Sequence, residues 1–258
     1  MLLNCDLGES YGSWTMGQDA NAMPYIDQAN IACGFHAGDP LVMQQTLALA
    51  KQHNVMVGAH PAYPDLVGFG RRSMNCSAQE IVAFMHYQIA AMEGMAACQG
   101  LALSYVKPHG ALYNDMMAKA PIRQAIMQAV SSYPTRMAAS GLTNSPLKLM
   151  LQANAHAQEH LKQAQELRLE LYFEAFADRC YEDDGSLMAR SKSGAVLNHD
   201  AMLKQVQQLT QQGTITSASG NALHLKVDSL CVHGDNDAGI AAIQSIRQLM
   251  NNPSTSKA

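Results

Sequence analysis

The stretch Leu103-Ser104-Tyr105-Val106-Lys107-Pro108-His109 carries the pattern on which the fold prediction rests. An apolar run typical of a β-strand over Leu103–Lys107 ends in a lysine, and a histidine follows two positions later. A lysine at the end of a buried strand is costly unless it faces a polar cavity. Because side chains two apart on an extended chain point the same way, Lys107 and His109 are predicted to face one cavity together.

Outward from this stretch, the chain repeats a short apolar run followed by a helical stretch. Strands are predicted at Leu2–Cys5, Ala29–Cys33, Val55–Ala59, Leu103–Lys107, Arg136–Ser140, Leu169–Glu174 and Ser229–Val232. Helices are predicted near Leu41–His53, Ala78–Gln99, Ala120–Ser132, Pro146–Glu166, His199–Gln212 and Ala238–Met250. This alternation is typical of a parallel sheet with helices on its faces. The segment Gly213–Lys226 instead alternates around a Ser-Gly-Asn turn, which predicts a small β-hairpin before the last strand.

Seven parallel strands fit either a closed barrel or an open, doubly wound sheet. Polar residues follow nearly every predicted strand: Asp6 and Glu9, His36 and Asp39, His60, His109, Asp178 and Arg179, and His233 and Asp235. A barrel draws its site from the ends of many strands, whereas an open sheet concentrates ligand groups at one switch point. We therefore predict an irregular seven-stranded (β/α) barrel as a single domain over residues 1–250, followed by a polar tail over residues 251–258.

Composition narrows the class of protein. The chain has 258 residues, of which 48% are hydrophobic and 15% charged, which is typical of a globular protein with one sizeable core. A net charge of −4 and scattered basic residues argue against nucleic acid or an anionic membrane as partners. No apolar stretch approaches the ~18 residues that span a bilayer. The six cysteines form no Cys-x-x-Cys pair and the first residues suit no signal peptide, so we expect a cytoplasmic protein with reduced thiols.

The clusters in the first part of the chain each have a structural alternative to a role in a site. Asp6 and Glu9 suit two carboxylates in one cavity, or a turn with a helix-capping acid. His36 lies between glycines and has no evident packing role, whereas Asp39 is predicted to cap a helix. No Walker A motif and no dinucleotide-binding glycine motif occurs, so any nucleotide needs another kind of site.

The loop Gly58–Arg72 is rich in glycine and proline, which is typical of ligand-binding loops on rigid scaffolds. Within it, Arg71 or Arg72 is predicted to clamp a carboxylate or phosphate through two hydrogen bonds, and the other is expected to be solvated. His60 lies at the start of the same loop and directly follows a predicted strand.

Two clusters near the end of the chain are equally open. Glu174 and Arg179 suit either a binding site or a structural ion-pair network. His233 and Asp235 follow the last predicted strand, and Asp235 is also placed to cap the final helix.

Taken in order, six blocks of the sequence resemble the LamB/YcsF family of lactam utilisation proteins, a family of 5-oxoprolinase components. These blocks are Asn4–Glu9, Asn30–Pro40, Gly58–Arg72, Val106–Asn114, Glu174–Arg179 and Cys231–Asp235. The resemblance implies a barrel akin to the glycoside hydrolase/deacetylase superfamily. It also implies ATP-dependent cleavage of 5-oxoproline to glutamate, with Mg²⁺ expected, in a complex with two partner subunits, B and C. The sequence departs from the family at Leu2 and Asn236-Asp237, and Ser131–Leu169 carries no family block.

The resemblance suggests roles for the polar residues. A lactam carbonyl is a poor electrophile, and phosphorylating its oxygen turns that oxygen into a leaving group. We hypothesise that Lys107 and Arg72 stabilise the negative charge. His109 or His233 would serve as general base for water, oriented by Asp6 or Asp235. The other candidates are assigned to substrate binding: Glu9, His36, His60, Arg71, Glu174 and Arg179.

Two alternatives to this function remain open. The first is a metal-dependent, deacetylase-like amidase with Asp6, His36 and His60 around a divalent ion, although the main assignment includes no metal ligand. The second is a protein that binds lactam for its partners without catalysing its hydrolysis.

Overall fold

The computed structural model describes residues 1–133, 146–232 and 237–251. Its strands are β1 (Leu2–Leu7), β2 (Gln28–Ala32), β3 (Met56–His60), β4 (Leu103–Val106), β5 (Lys148–Gln152), β6 (Leu171–Phe176), β7 (Thr214–Thr216), β8 (Ala222–His224) and β9 (Ser229–Cys231). Seven of them close into a barrel in the order β1-β2-β3-β4-β5-β6-β9, with every pairing parallel. The closed barrel is therefore confirmed.

Helices cover the outside of the barrel and follow its strands along the chain. They are α1 (Asp19–Ala22), α2 (Pro40–His53), α3 (Ala78–Cys98), α4 (Gly110–Ala118), α5 (Ala120–Ser132), α6 (Ala157–Glu166), α7 (His199–Gln212) and α8 (Asp237–Asn251), with a 3₁₀ turn at Met23–Tyr25. The Asp39 carboxylate accepts hydrogen bonds from the first backbone N–H groups of α2, so its predicted capping role is confirmed. Among the described residues, no helix combines the length and the apolarity needed to cross a membrane.

The barrel interior is polar at its centre, which is unusual for a packed core. Asn4 donates to Ser229 Oγ (2.7 Å), and Ser229 donates in turn to Gln28 Oε1 (2.7 Å). Asn30 donates to Asn4 Oδ1 (2.8 Å) and accepts from the Tyr105 hydroxyl (2.6 Å). Because these buried groups bond to one another, the network avoids most of the cost of unpaired polar atoms. It also leads directly to the rim where the candidate site lies.

The smaller elements agree with the prediction only in part. The hairpin is confirmed, because β7 and β8 pair antiparallel outside the barrel. The predicted helix Pro146–Glu166 is wrong in its first half, where β5 occupies Lys148–Gln152 and α6 begins only at Ala157. The segment Leu147–Leu151 consists of good helix formers, but pairing with β4 and β6 outweighs that local preference.

Other predictions lie outside what the structure describes. The predicted strand Arg136–Ser140 falls in the gap between residues 133 and 146, and residues 252–258 of the predicted tail are also outside. The division into one domain over residues 1–250 stays a prediction.

Candidate functional site

A cleft of about 230 Å³ opens beside the carboxyl ends of the barrel strands. It is lined by Asp6, Glu9, Met16, His60, Phe69, Arg71, Lys107, Pro108, His109, Gly110, Ala111, Tyr113, Asn114, Phe176, Arg179, Leu187 and Arg190. Pockets for drug-sized ligands measure roughly 300–1,000 Å³, so this cleft suits a smaller molecule. Its lining combines buried ionisable groups with aromatic rings, the usual composition of a binding site.

The floor of the cleft is organised around Lys107, which directly follows β4. Its Nζ lies 2.9 Å from Asp6 Oδ1 and 3.1 Å from Glu174 Oε2. It also approaches Asn4 Oδ1 (3.4 Å) and Cys231 Sγ (3.3 Å), so its three N–H groups face four acceptors. Burial by itself lowers the pKa of Lys107, but Asp6, Cys231 and Glu174 outweigh it and raise that pKa well above its ordinary value. Lys107 is therefore a fixed cation in the barrel interior.

Three buried histidines and one glutamate form the adjoining wall. His60 ends β3, His109 precedes α4, and His36 lies in the loop after β2. The rings of His36 and His109 are parallel with centroids 3.7 Å apart, and the His60 ring is nearly perpendicular to both. Glu9 Oε1 lies 3.3 Å from His36 Nε2 and 3.7 Å from His109 Nδ1. The ligand atoms of these four residues all lie within 4.8 Å of one another.

Burial keeps two of these histidines uncharged. It lowers the pKa of His109 to about 2, assisted by His36 and His60, and it lowers the pKa of His36 well below its ordinary value, assisted by His60. A neutral imidazole has one N–H and one lone pair, so the position of the hydrogen decides what each ring presents to the cleft.

Backbone carbonyl groups determine the tautomers of His60 and His109. His60 Nδ1 lies 2.7 Å from the carbonyl oxygen of Lys107, and His109 Nε2 lies 2.9 Å from that of Phe69. A carbonyl oxygen only accepts, so these two ring nitrogens carry the hydrogens. The remaining nitrogens, His60 Nε2 and His109 Nδ1, are 3.0 Å apart with their lone pairs turned toward each other.

The Phe69-Gly70 turn holds one of these carbonyls in place. Phe69 has a φ of +53° and Gly70 a φ of +63°, a conformation that costs a non-glycine residue free energy. A Cβ atom on Gly70 would lie 2.8 Å from both His109 Cδ2 and His36 Cβ. The Gly70 carbonyl also accepts from the Ala111 N–H (2.8 Å), which ties the loop to the start of α4. Glycine is thus required here by both conformation and space.

Three arginines line the cleft. Arg71 is exposed and lies with its guanidinium carbon 5.2 Å from the centre of the Phe69 ring, and Arg190 is also exposed. Arg179 is buried and donates from Nη2 to the carbonyl oxygen of Met188 (2.6 Å). Arg72 behaves differently, because it pairs with Asp65, its side chain is 66% exposed, and it is not among the described residues that line the cleft.

The structure thus brings most of the predicted site residues together, while their roles stay predictions. Asp6, Glu9, His36, His60, Lys107, His109 and Glu174 meet in one connected centre, and Arg71 and Arg179 lie beside it. His233 and Asp235 lie outside the described residues or their described side chains. The sequence reasoning missed Arg190 and Phe176, which lie in irregular or apolar segments and match no chemical motif.

A closed parallel barrel with a small ionisable cleft at the carboxyl ends of its strands defines a (β/α)-barrel protein of the enzyme type. Comparison with known proteins narrows this class. The chain belongs to the LamB/YcsF family, which it matches over residues 1–258.

The relatives agree in name and in fold. The A-type component of 5-oxoprolinase from Pseudomonas fluorescens is 51% identical over 256 residues, which cover 98% of each chain. Its counterpart from Vibrio cholerae, with the same name, is 48% identical over 250 residues, covering 96% of this chain and 97% of the other. The crystal structure of a lactam utilisation protein from Thermus thermophilus has 33% identity and a TM-score of 0.87, covering 98% of this chain and 96% of that one.

Proposed function

We propose that the chain is one component of an ATP-dependent 5-oxoprolinase that opens the lactam of 5-oxo-L-proline to give L-glutamate. The observation that carries this proposal is the small cleft, in which arginines lie beside a buried centre of carboxylates, histidines and a lysine. 5-Oxoproline is a small molecule with a carboxylate and a lactam, so it needs both kinds of group. Relatives about half identical to this chain are named as components of 5-oxoprolinase.

The arginines are suited to the carboxylate of this substrate. A guanidinium forms a fork that matches a carboxylate in two hydrogen bonds. Arg71 and Arg190 present exposed guanidinium groups to the cleft, whereas Arg179 already donates to backbone carbonyls. We assign the substrate carboxylate to Arg71 and Arg190, with Arg179 supporting the wall.

The reaction balances with one ATP and two waters. The lactam oxygen attacks the γ-phosphorus of ATP and ADP leaves. Water then adds to the ring carbon, and the carbon–nitrogen bond breaks with a proton passing to nitrogen. The resulting acyl phosphate reacts with a second water to give glutamate and phosphate. The positive charge of Lys107 stabilises the anionic oxygens through space, because its N–H groups are engaged by neighbouring acceptors.

We assign the proton of the attacking water to Asp6. The low pKa of His109 makes its ring a weak proton acceptor. Asp6 Oδ1 accepts from Lys107 (2.9 Å) and Asn30 (2.8 Å), which fixes the carboxylate. Its Oδ2 lies 3.4 Å from His60 Nε2, and both residues line the cleft. His109 then has a positioning role.

ATP with Mg²⁺ and two further subunits, B and C, complete the proposal. The cleft is small for a whole nucleotide, and the sequence has no Walker A motif. We therefore propose that most of the ATP molecule is bound outside the cleft, with the γ-phosphate reaching in. A cytoplasmic location goes with this use of ATP.

The test is glutamate release from 5-oxoproline by the chain assembled with its partner subunits, with and without ATP and Mg²⁺. We expect glutamate only with ATP, and a loss of about 100-fold or more in kcat for Asp6→Asn. The matched control is Asp200→Asn, which changes an aspartate with a 92% exposed side chain on α7 and should leave kcat unchanged. Full activity of a folded Asp6→Asn variant would contradict the assignment of the base.

The histidine wall supports the metal-dependent amidase as a second candidate, because its four residues suit a metal ion. That candidate predicts release of product from simple amides or acetylated substrates without ATP, abolished by a chelator. Binding of 5-oxoproline without turnover in the full assembly would instead support a protein that only binds lactam.

A further inference from the structure

The two facing lone pairs of His60 and His109 are the least stable feature of the described structure. His60 Nε2 and His109 Nδ1 lie 3.0 Å apart, and both hydrogens are held on the far sides of the rings by carbonyl oxygens. Two acceptors at this distance repel unless a cation lies between them. We propose that this wall is a binding site for a divalent transition-metal ion, held by His60 Nε2, His109 Nδ1 and the carboxylate of Glu9.

The spacing of the ligand atoms fits such an ion. Zinc–nitrogen bonds of about 2.0–2.1 Å place the ligand atoms of a tetrahedral site about 3.3 Å apart. Here the histidine nitrogens are 3.0 Å apart, and His109 Nδ1 lies 3.7 Å from Glu9 Oε1. Asp6 Oδ2, 3.4 Å from His60 Nε2, lies where it contacts the ion directly or through a water. Small shifts of side chains complete the site.

Histidine ligands of metals are normally oriented by a hydrogen bond from the second ring nitrogen to a carbonyl or a carboxylate. Both His60 and His109 have such a bond, to the carbonyl oxygens of Lys107 and Phe69. The Phe69 carbonyl is held by a backbone with positive φ, which is a cost that folding alone does not require. The orientation of both rings is therefore prepared for an ion.

His36 has a different role from the other two histidines. A metal ion lies close to the plane of the imidazole that binds it, and the parallel planes of His36 and His109 are stacked rather than shared. One ion cannot lie in both planes. In this arrangement His36 donates from Nε2 to Glu9 Oε1 (3.3 Å) and so positions the third ligand. His36 is thus a positioning residue.

Charge and ligand type decide the class of ion. The centre formed by Asp6, Glu9, Glu174 and Lys107 carries three carboxylates against one ammonium group, a formal excess of two negative charges that a divalent cation balances. Two imidazoles and a carboxylate favour Zn²⁺, Co²⁺ and similar ions over Mg²⁺ and Ca²⁺, which prefer oxygen ligands. The Mg²⁺ that accompanies ATP is accordingly a separate ion.

The experiment is a titration of the isolated, chelator-treated chain with Zn²⁺ by calorimetry and with Co²⁺ by visible absorption. We expect one ion per chain, with intense Co²⁺ bands typical of low coordination. His60→Gln and His109→Gln should each weaken binding by about 100-fold or more, since they remove ligands from the ion. His36→Ala should weaken it by about tenfold, and His36→Gln, which restores a donor to Glu9, should recover most of that loss.

Control variants separate this site from adventitious binding. His156→Gln and His199→Gln each remove a largely exposed histidine and should leave affinity and stoichiometry unchanged. Should the His60 or His109 variant fold poorly, the rise in Tm of the wild-type chain with Zn²⁺ provides a second measurement, because an ion that binds the folded state stabilises it.

Three outcomes overturn the inference. The first is no uptake of either ion by the wild-type chain, with nitrogen-detected NMR showing a proton between the two rings instead. The second is uptake that survives in His60→Gln and His109→Gln. The third, equal losses for His36→Gln and His109→Gln, overturns the role of His36. Binding is measured without ATP, substrate or partners, so it is independent of the proposed lactamase activity.

Discussion

The two halves of the cleft differ in how well their polar groups are satisfied. On the floor, the N–H groups of Lys107 face Asp6, Glu174, Asn4 and Cys231, and the carboxylate of Asp6 accepts from Asn30 as well. On the wall, two ring nitrogens of His60 and His109 meet as acceptors without a donor between them. Both halves are buried and both are carried by ends of barrel strands.

This contrast separates a structural task from a binding task. A satisfied buried network makes a barrel interior rigid and is costly to break. A set of acceptors facing one another destabilises the empty protein and offsets that cost only when a cation enters. The comparison predicts that substitutions in the floor lower stability first, whereas substitutions in the wall alter binding first.

The largest effect is expected for Lys107→Met, which breaks the floor. Removing one partner of a buried ion pair leaves the carboxylates of Asp6 and Glu174 uncompensated, so the free energy of unfolding should fall by about 3–5 kcal/mol. Urea denaturation followed by circular dichroism measures this. The control is Lys162→Met on the exposed face of α6, for which no change is expected. A stable Lys107→Met variant would show that the floor does not depend on its cation.

The second effect tests the wall through its backbone. Gly70→Ala combines a positive φ with a steric clash against His36 and His109, and it should cost about 2 kcal/mol or more of stability. Gly213→Ala, at a φ of +67° with no atom within 4 Å of the new Cβ, carries only the conformational cost of about 1 kcal/mol. Only Gly70→Ala should also weaken Zn²⁺ binding, measured by calorimetry. Equal behaviour of the two variants would remove the clash from the explanation.

A smaller effect is expected where the floor meets the barrel interior. Tyr105→Phe removes the hydroxyl that donates to Asn30 Oδ1 (2.6 Å) and leaves that buried acceptor unpaired, at a cost of about 1–3 kcal/mol. Zn²⁺ affinity should stay within about twofold of the wild type, because the wall is untouched. Thermal melting and the metal titration together measure both quantities. A large loss of metal affinity would mean that floor and wall are coupled.

The sequence alone predicts the floor better than the wall. A lysine at the end of a buried strand has a simple physical reason to face a cavity, and Lys107 and His109 do line one cleft. The strand–helix alternation likewise indicates the barrel, apart from β5, where local helix formers are outweighed by pairing with two neighbouring strands. These predictions depend on residue type and periodicity, which a sequence displays directly.

The wall depends on features that a sequence does not display. The hydrogen positions on His60 and His109 follow from which carbonyl each ring meets, and the Phe69 carbonyl comes from an irregular loop 40 residues before His109. The stacking of His36 on His109 joins segments that are distant in the chain. Residue spacing therefore suggests Asp6, His36 and His60 as metal ligands, whereas the geometry favours Glu9, His60 and His109.

The smallest effect distinguishes two adjacent arginines that are equivalent in the sequence. Arg71 lies exposed on the cleft over the Phe69 ring, while Arg72 is turned to Asp65 outside it. Arg71→Ala should raise the KM for 5-oxoproline several-fold with kcat little changed, because it removes a contact made equally in the ground and transition states. Arg72→Ala should change neither constant, since its exposed ion pair is screened by solvent. A KM effect confined to Arg72→Ala would reverse the assignment and would mean that the loop turns over when substrate binds.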